Sequence, residues 1–316
     1  MITFACFLWK SPNKIREFKA EYVNALYRGI NENYRKPFRF VCITDMPAGL
    51  LPEIETLPLP QMDDIPSPHG DTYPSCYRRL WLFSQEAAEV LPGQVVCIDV
   101  DAVICGDITD FFDRPEDCVM WHDTTNRRLK YSGGLWMIRT GTRTHVWDTF
   151  DPVKSPEITK KAGWFGSDQA WMSYCLDGEA SWGREQGLYR TRDLVQGSSP
   201  LIAQTPSQYK PWTESFRVQY PHLYKHWQRH YQPKPEPKLE EPTEVARYKL
   251  LKSSTIGRAG EIVEVSPNSV QALRANGIIG EAYREPEIAK VIEPEVKKVV
   301  TPTVTKRTKR ASKATN

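Results

Sequence analysis

The sequence predicts an α/β protein in which a mixed sheet is flanked by helices, followed by a small C-terminal α+β module and a disordered basic tail. Short apolar runs alternate with amphipathic helical patterns over roughly the first 230 residues, which is typical of a sheet covered on both faces. The composition then changes to a proline-rich, charged segment after Tyr231. With 316 residues, of which 40% are hydrophobic and ten are Trp, the chain can bury a substantial core and has the length of about two domains.

The elements of the first part can be placed from the periodicity of their apolar residues. We expect strands at 2–9, 38–44, 95–101 and 133–138, and helices at 15–30 and 75–91. The run 95–101, Val-Val-Cys-Ile-Asp-Val-Asp, is apolar before its acidic end, so it should be a buried strand. Ligands of such sheets bind at the carboxyl ends of the strands, and two aspartates stand at this one.

The chain beyond the first 232 residues should fall into three parts. Residues 233–243 contain four prolines among alternating charges, which predicts a stiff linker. Residues 244–284 should form a small ββαβ module. Residues 285–316 are rich in Lys, Val, Thr and Pro, which predicts a disordered basic tail. Residues 1–232 should therefore fold as a separate domain.

The charge balance and the apolar runs exclude several classes of protein. A formal net charge of +3, from 42 basic and 39 acidic residues, gives no global attraction to nucleic acid or to a membrane. The opening apolar run is short and lacks the basic start of a signal peptide, and no run reaches the roughly 18 residues that span a bilayer. The seven cysteines are scattered and include no CxxC pair, which favours free thiols. We therefore expect a soluble, cytoplasmic protein with no transmembrane segment.

Asp99 and Asp101 give the most specific indication of chemistry in the sequence. In an extended strand side chains alternate, so the two carboxylates should leave the sheet on the same side. Two carboxylates can share one hard cation, and Mn²⁺ or Mg²⁺ bound there could hold a diphosphate. The cation would stabilise the charge on a departing nucleoside diphosphate. Two aspartates at this spacing are a common pattern. The flanking residues must therefore decide whether they form a metal site or are ordinary aspartates at the end of a strand.

Those flanks resemble a known family of enzymes. Residues 95–113, Val-Val-Cys-Ile-Asp-Val-Asp-Ala-Val-Ile-Cys-Gly-Asp-Ile-Thr-Asp-Phe-Phe-Asp, are similar to the D-x-D region of glycosyltransferases with the GT-A fold, particularly family 8. Further segments match motifs of that family in the same order: its arginine-leucine helix at 77–80, its Asn-Ala-Gly strand at 131–138, its Asp-Gln segment at 166–170 and its Lys-Pro-Trp motif at 208–212. The resemblance covers roughly residues 2–215.

The resemblance implies a metal-dependent hexosyltransferase. Such an enzyme moves a hexose from a nucleotide-diphosphate sugar, by default a UDP-sugar, to an acceptor and retains the anomeric configuration. The resemblance assigns the metal to Asp99 and Asp101, the donor or its phosphates to Arg79, Ser132 and Lys210, and a catalytic place beside the donor sugar to Asp168 and Gln169. The acceptor is not identified; its site would lie in variable loops such as 60–74 and 155–165.

Some positions depart from the family's pattern. Gln204 stands where the family usually has a histidine as third metal ligand, and an amide oxygen is a weaker ligand than imidazole. His222 is the alternative third ligand. It shares one face of a predicted helix with His226 and His230, a pattern that is more typical of a polar helix face than of a metal site. The family's Asn is Ser132 here, and the early aspartate that usually meets the base is missing, so uridine is only the family default.

Two other functions stay open at this point. The run Asp99-Val100-Asp101-Ala102-Val103 also fits the nucleophile motif of haloacid-dehalogenase-type phosphatases, in which Asp99 would attack phosphorus. That family needs a later acidic pair, and Met172 stands where its second aspartate is expected. A non-catalytic binding or assembly protein with a transferase-like fold is suggested by Gln204 and by the appended module. The basic tail could contact an anionic partner, although solvated disorder also explains its composition.

Overall fold

The computed structural model describes residues 1–10, 18–71, 73, 75–122, 129–205, 209–233, 246–254, 256–283 and 297–298. The chain forms two compact units, Met1–Lys234 and Pro235–Asn316, and each is described by itself. Most of the predicted linker, and the predicted tail apart from 297–298, lie outside the described residues. The domain bounds drawn from composition therefore stay a prediction.

The first unit is built on a seven-stranded mixed sheet. The strands of this unit are β1 (Ile2–Leu8), β2 (Phe38–Thr44), β3 (Glu55–Leu57), β4 (Gln94–Ile98), β5 (Val103–Ile104), β6 (Cys118–His122), β7 (Tyr131–Arg139), β8 (Ala180–Trp182), β9 (Leu188–Arg190) and β10 (Ile202–Gln204). The large sheet has the order β3-β2-β1-β4-β7-β6-β8, and the small one β5-β10-β9. In the large sheet β7 runs antiparallel to β4 and β6, while the other neighbours are parallel.

Helices pack against the large sheet. They are α1 (Ala20–Asn33), α2 (Gln85–Val90), α3 (His145–Asp148), α4 (Lys154–Lys161), α5 (Asp168–Cys175), α6 (Glu214–Gln219) and α7 (Pro221–His230), with 3₁₀ helices at Tyr77–Phe83, Arg184–Gln186 and Thr191–Asp193. None of the helices in the described part of the chain is both long and apolar enough to cross a membrane.

Both faces of the sheet are buried, as the apolar runs predicted. Alternate residues of β1 enter two different cores, because successive side chains of a strand point to opposite faces. Phe4 and Cys6 belong to the core that contains α1, whereas Ala5 and Phe7 belong to the core that contains the 3₁₀ helix Tyr77–Phe83. The predicted fold class, a mixed sheet flanked by helices, is confirmed. Since β1 and β4 are parallel neighbours, their carboxyl ends open on the same edge of the sheet.

Two predicted helices differ from the observed ones. The helix predicted at 75–91 is split into the 3₁₀ helix and α2, because the backbone of Ser84 is extended and its hydroxyl accepts from the amide of Ala87, which starts a new helix. The helix predicted at 15–30 begins only at Ala20, since Lys19 is extended. The first residues of that prediction lie outside the described residues.

The second unit contains a small sheet and one helix. Its elements are β11 (Ala246–Leu250), β12 (Ile262–Val265), α8 (Pro267–Ala275), β13 (Ile279–Ala282) and β14 (Lys297–Lys298), and the sheet order is β13-β11-β12-β14. Tyr248, Val263 and Ile279 are buried in its core. The order strand, strand, helix, strand agrees with the α+β fold predicted for this segment.

Candidate active site

A cleft of about 280 Å³ opens at the carboxyl ends of β1 and β4. Phe7, Leu8 and Ile98 line it from the strand ends, and the start of the 3₁₀ helix and the irregular segment before that helix line it from the side. Among the described residues, the charged side chains of the lining are five carboxylates, Asp63, Asp64, Asp71, Asp99 and Asp101, and three cations, Arg78, Arg79 and Lys210. The excess of carboxylates favours a bound cation.

Asp99 and Asp101 lie in the turn that follows β4. The amide of Ala102 donates to the carbonyl of Asp99 over 3.0 Å, which closes the turn. The strand alternation expected for the two aspartates is therefore wrong, because the chain leaves the sheet after Ile98. Both side chains still line the same cleft: Asp101 is buried, whereas the side chain of Asp99 is 37% exposed.

Arg79 is a buried cation between two carboxylates. Its Nη1 contacts Oδ1 of Asp99, and its Nη2 lies 2.6 Å from Oδ2 of Asp168, the first residue of α5. A buried guanidinium is costly unless it is paired, and the two carboxylates meet that need. The 3₁₀ helix, the turn after β4 and the start of α5 are thereby joined at one point.

Burial and the contacts with Arg79 change the pKa values of Asp99 and Asp168. Desolvation in the site raises the pKa of Asp99, Arg79 opposes this rise, and Asp101 adds to it. Burial likewise raises the pKa of Asp168 against the opposing effect of Arg79. The site therefore holds negative charge at a cost, and a ligand that brings positive charge would relieve it.

Lys210 pairs with the second aspartate of the turn. Its Nζ contacts Oδ2 of Asp101 and lies 5.8 Å from the ring centre of Phe18, and only 8% of the lysine is exposed. Two residues later Trp212 stacks on Tyr22 of α1, with ring centres 3.8 Å apart and planes 4° from parallel. The stack fixes the segment that carries Lys210 to the first helix, so the position of the lysine depends on packing around α1.

Two glycines of β7 allow the side chains of the site to meet. A Cβ on Gly133 would lie 2.7 Å from Nη2 of Arg79. A Cβ on Gly134 would lie 3.3 Å from Cδ of Gln204 and 3.4 Å from Oδ2 of Asp99. Interiors are packed too tightly to absorb such contacts without movement. The pair thus allows the backbone to approach the charged groups closely, most of all at Gly133, because glycine has no Cβ.

Gln204 and Asp99 share one backbone acceptor. The side-chain amide of Gln204 donates to the carbonyl of Gly134 over 2.9 Å, and the backbone amide of Asp99 donates to it over 3.0 Å. Gln204 is buried, and since its nitrogen is engaged, its amide oxygen is the atom left to accept. Ser132 is also buried, but its hydroxyl accepts only a long bond, 3.5 Å, from the amide of Gly134, and it does not line the cleft.

Gln169 is half-buried beside the arginine network. Its Oε1 accepts from the amide of Gly133 and its Nε2 donates to the carbonyl of Phe165, both over 3.4 Å. Bonds of this length are weak. A ligand could therefore exchange partners with this amide at small cost.

His222 lies apart from the other predicted residues. It is exposed at the start of α7 and does not line the cleft. His226 and His230 follow on the same helix, and burial lowers the pKa of both. His230 is buried with Nδ1 3.5 Å from Glu32, so the expected polar helix face is wrong for this residue. Across the described residues no group of three His, Cys, Asp or Glu side chains is arranged to hold a metal ion.

No pattern in the sequence predicted the lining contributed by the segment before the 3₁₀ helix. Asp63 and Tyr73 line the cleft, yet they belong to no periodic pattern. Tertiary contacts position this segment: the amide of Cys76, for example, donates to Oγ of Ser167 over 2.9 Å. The only available signal was the general expectation of an acceptor loop at 60–74.

Comparison with solved structures identifies the fold. The galactosyltransferase LgtC, in complex with donor and acceptor sugar analogs, matches 74% of this chain and 98% of its own, with a TM-score of 0.50 and 11% identity. A second LgtC structure, an active-site mutant with glutamate in place of glutamine, matches the same shares with a TM-score of 0.50 and 12% identity. No family model matches the chain, and neither does any curated protein. At these identities the likeness is one of fold, and the fold is that of GT-A glycosyltransferases.

Proposed function

We propose that the first unit is a metal-dependent glycosyltransferase. It moves a hexose from a nucleotide-diphosphate sugar, by default a UDP-sugar, to an acceptor and retains the anomeric configuration. One observation carries the proposal: Asp99 and Asp101 lie at the end of a central strand, and a cation from a separate element pairs with each, Arg79 and Lys210. The fold shared with a galactosyltransferase supports it.

Arg79 and Lys210 are the proposed ligands of the donor's diphosphate. Phosphate and carboxylate oxygens are similar acceptors, so each cation can share or exchange its aspartate partner with a phosphate oxygen. Arg79 offers a planar fork, and Lys210 offers a compact point charge. Because both cations are already desolvated, binding requires little further removal of water from them.

The residues around the turn fit a hard divalent cation. Asp99 and Asp101 would hold Mn²⁺ or Mg²⁺, with the amide oxygen of Gln204 as third ligand, since these ions prefer oxygen donors. The close approach of Gln204 and Asp99 at Gly134 supports this set. When bound, the ion would supply charge stabilisation for the departing diphosphate.

Asp168 and Gln169 have different proposed roles. Asp168 is buried and paired with Arg79, so it orients the guanidinium. Gln169 is proposed beside the reacting face of the sugar, a position supported by the active-site glutamine of LgtC. An amide is a poor nucleophile, so we propose that the acceptor hydroxyl attacks the anomeric carbon from the face on which the phosphate oxygen departs, and that the phosphate takes the proton. NMR of the product tests this, because an inverted anomeric centre would contradict it.

Neither alternative function gains support from the site. The phosphatase would need a second acidic residue at the position of Met172, and Met172 is fully buried in an apolar core. The paired buried charges fit donor binding in an enzyme and in a non-catalytic protein alike, and turnover decides between the two.

Donor hydrolysis with and without Mn²⁺ separates the three functions. The proposal expects nucleoside diphosphate release from a nucleotide sugar that depends on Mn²⁺ and disappears with chelator. Isothermal titration with a panel of nucleotide sugars would then identify the base and sugar. Release of inorganic phosphate from phosphate monoesters instead would favour the phosphatase, and donor binding without turnover would favour the binding protein.

A further inference from the structure

One end of the cleft carries an aromatic group that the donor site does not use. We call this the outer end and define it by Asp63, His69, Tyr73 and Phe165. The rings of His69 and Phe165 lie 4.4 Å apart, and the rings of Tyr73 and Phe165 lie 5.2 Å apart at 85°. The two loops named from the sequence, 60–74 and 155–165, therefore meet through these rings.

Tyr73 is exposed but held in place. It lines the cleft, and 42% of it is exposed. His69 supports it as a third ring, 6.2 Å away. Burial, with help from Lys160, lowers the pKa of His69, which favours the neutral imidazole that packs against Phe165. An exposed aromatic side chain that neighbours fix in position is a ready platform for an apolar ligand face.

The outer end is adjacent to the proposed reacting position. The carbonyl of Phe165 accepts from Nε2 of Gln169 over 3.4 Å. Between these residues Gly166 has a φ of 102°, a left-handed conformation that favours glycine. The sharp bend at Gly166 brings the aromatic group next to the amide that we place beside the donor sugar.

The charge of the outer end selects against anions. Asp63 and Asp64 are exposed and Asp71 lies nearby in the same lining. Arg78 lies 2.7 Å from Asp64, so these two charges largely offset each other, and among the described residues of the lining the exposed Asp63 adds negative charge. A phosphate or carboxylate on an acceptor would meet like charge here, which is costly. Hydroxyl groups, in contrast, can donate to carboxylates.

We propose that the outer end binds an uncharged sugar ring of the acceptor. One face of a pyranose consists of C–H groups that can pack on Tyr73, while its hydroxyls donate to Asp63 and its neighbours. The inference rests on the proposed glycosyltransferase function and adds the class of acceptor: a neutral glycan or glycoside.

The test measures binding and transfer separately. Saturation-transfer NMR on the full chain would use methyl glucoside and methyl galactoside as uncharged probes, and methyl glucuronide and glucose 6-phosphate as anionic ones. We expect the uncharged probes to bind and Tyr73→Ala to weaken them at least tenfold, with Tyr73→Phe close to wild type. Tyr174→Ala is the matched control, because Tyr174 is 48% exposed and does not line the cleft.

Enzyme kinetics with the same probes complete the test. Tyr73→Ala should raise the acceptor KM far more than the donor KM. A wild type that hydrolyses nucleotide sugar but prefers the anionic probes, or binds uncharged ones equally well in Tyr73→Ala, overturns the acceptor inference alone. A wild type that binds the uncharged probes through Tyr73 but turns over no nucleotide sugar supports this site and contradicts the proposed function.

Discussion

The two ends of the cleft are built in different ways. We call the end of the cleft with Arg79, Asp101 and Lys210 the inner end. These three residues are buried and paired, and the elements that carry them pack on the central strands. At the outer end Tyr73 is exposed on an irregular segment. Buried paired charges cannot change without leaving a partner uncompensated, whereas an exposed ring can be replaced at small structural cost. The contrast indicates a fixed donor site beside an adaptable acceptor site.

The largest effect should follow from removing a charge at the inner end. Asp101→Asn keeps the size of the side chain but leaves Lys210 without its anionic partner and the proposed metal without a charged ligand. We expect Mn²⁺-dependent donor hydrolysis to fall by about 100-fold or more. Asp113→Asn is the control, because that side chain is 69% exposed and only pairs with Lys36 on the surface. Full activity in Asp101→Asn, and in Asp99→Asn, would remove the basis of the proposed function.

Adding one methyl group to β7 should be nearly as damaging. Gly134→Ala would place a Cβ 3.1 Å from Trp121 and 3.3 Å from Gln204. Overpacking of this kind costs about 1–3 kcal/mol of unfolding free energy, and we expect donor turnover to fall at least tenfold because Gln204 must move. The control is Gly183→Ala, whose Cβ would meet only the flexible end of Gln186 at 3.8 Å. Equal melting temperatures and rates for the two variants would show that the inner end is less rigid than its packing implies.

The aromatic stack behind Lys210 should affect donor binding more than chemistry. Trp212→Leu removes the stack on Tyr22, so the segment carrying Lys210 loses its attachment to α1. We expect the donor KM to rise several-fold, with a smaller change in kcat, and Trp212→Phe to retain most of the affinity. If Trp212→Leu lowered kcat and left KM unchanged, Lys210 would act in the transition state and not in donor binding.

A smaller effect should distinguish the candidate third ligands. Gln204→His should tighten Mn²⁺ binding a few-fold, because imidazole is the better ligand. The gain is limited because the variant loses the hydrogen bond from the side-chain amide of Gln204 to the carbonyl of Gly134. Titration of Mn²⁺ against the variant measures it. Unchanged affinity in Gln204→His together with weaker binding in His222→Ala would transfer the role to His222, despite its exposed position on α7.

The smallest effect should come from removing the second unit. A chain truncated to residues 1–232 should fold and hydrolyse the donor within about twofold of the full chain, because both ends of the cleft are lined by residues of the first unit. Circular dichroism and the hydrolysis assay would measure this. An inert or insoluble short chain beside an active full chain would show that the predicted boundary is wrong.

The inner end was accessible to sequence reasoning because its residues sit in short linear patterns. The apolar run before Asp99 predicted a buried strand, and β4 is one. Arg79, Asp168 and Lys210 came from a resemblance; the structure pairs Arg79 and Lys210 with the two aspartates and places Asp168 against Arg79. Their functions stay predictions, and of the other residues predicted for the site, Ser132, Asp168, Gln169 and Gln204 do not line the cleft.

The outer end and the local backbone could not be predicted in the same way. Tyr73 and Phe165 are 92 positions apart in the chain, and no local preference encodes their contact. The split of the helix predicted at 75–91 depends on the side chain of Ser84, which caps a new helix only when the chain is extended there. The turn after Ile98 replaces the expected alternation because the ladder with β7 ends at that residue, apart from one further hydrogen bond from the amide of Asp99 to the carbonyl of Gly134.

The glycine pair of β7 has a genetic consequence. Every single-nucleotide change in a glycine codon that alters the residue introduces at least a Cβ, and at Gly133 or Gly134 that atom would enter the site. Even the smallest missense change at these two codons, to alanine, would therefore require neighbouring side chains to shift. A variant library intended to alter acceptor preference should keep them fixed and place its diversity in the loop around Tyr73.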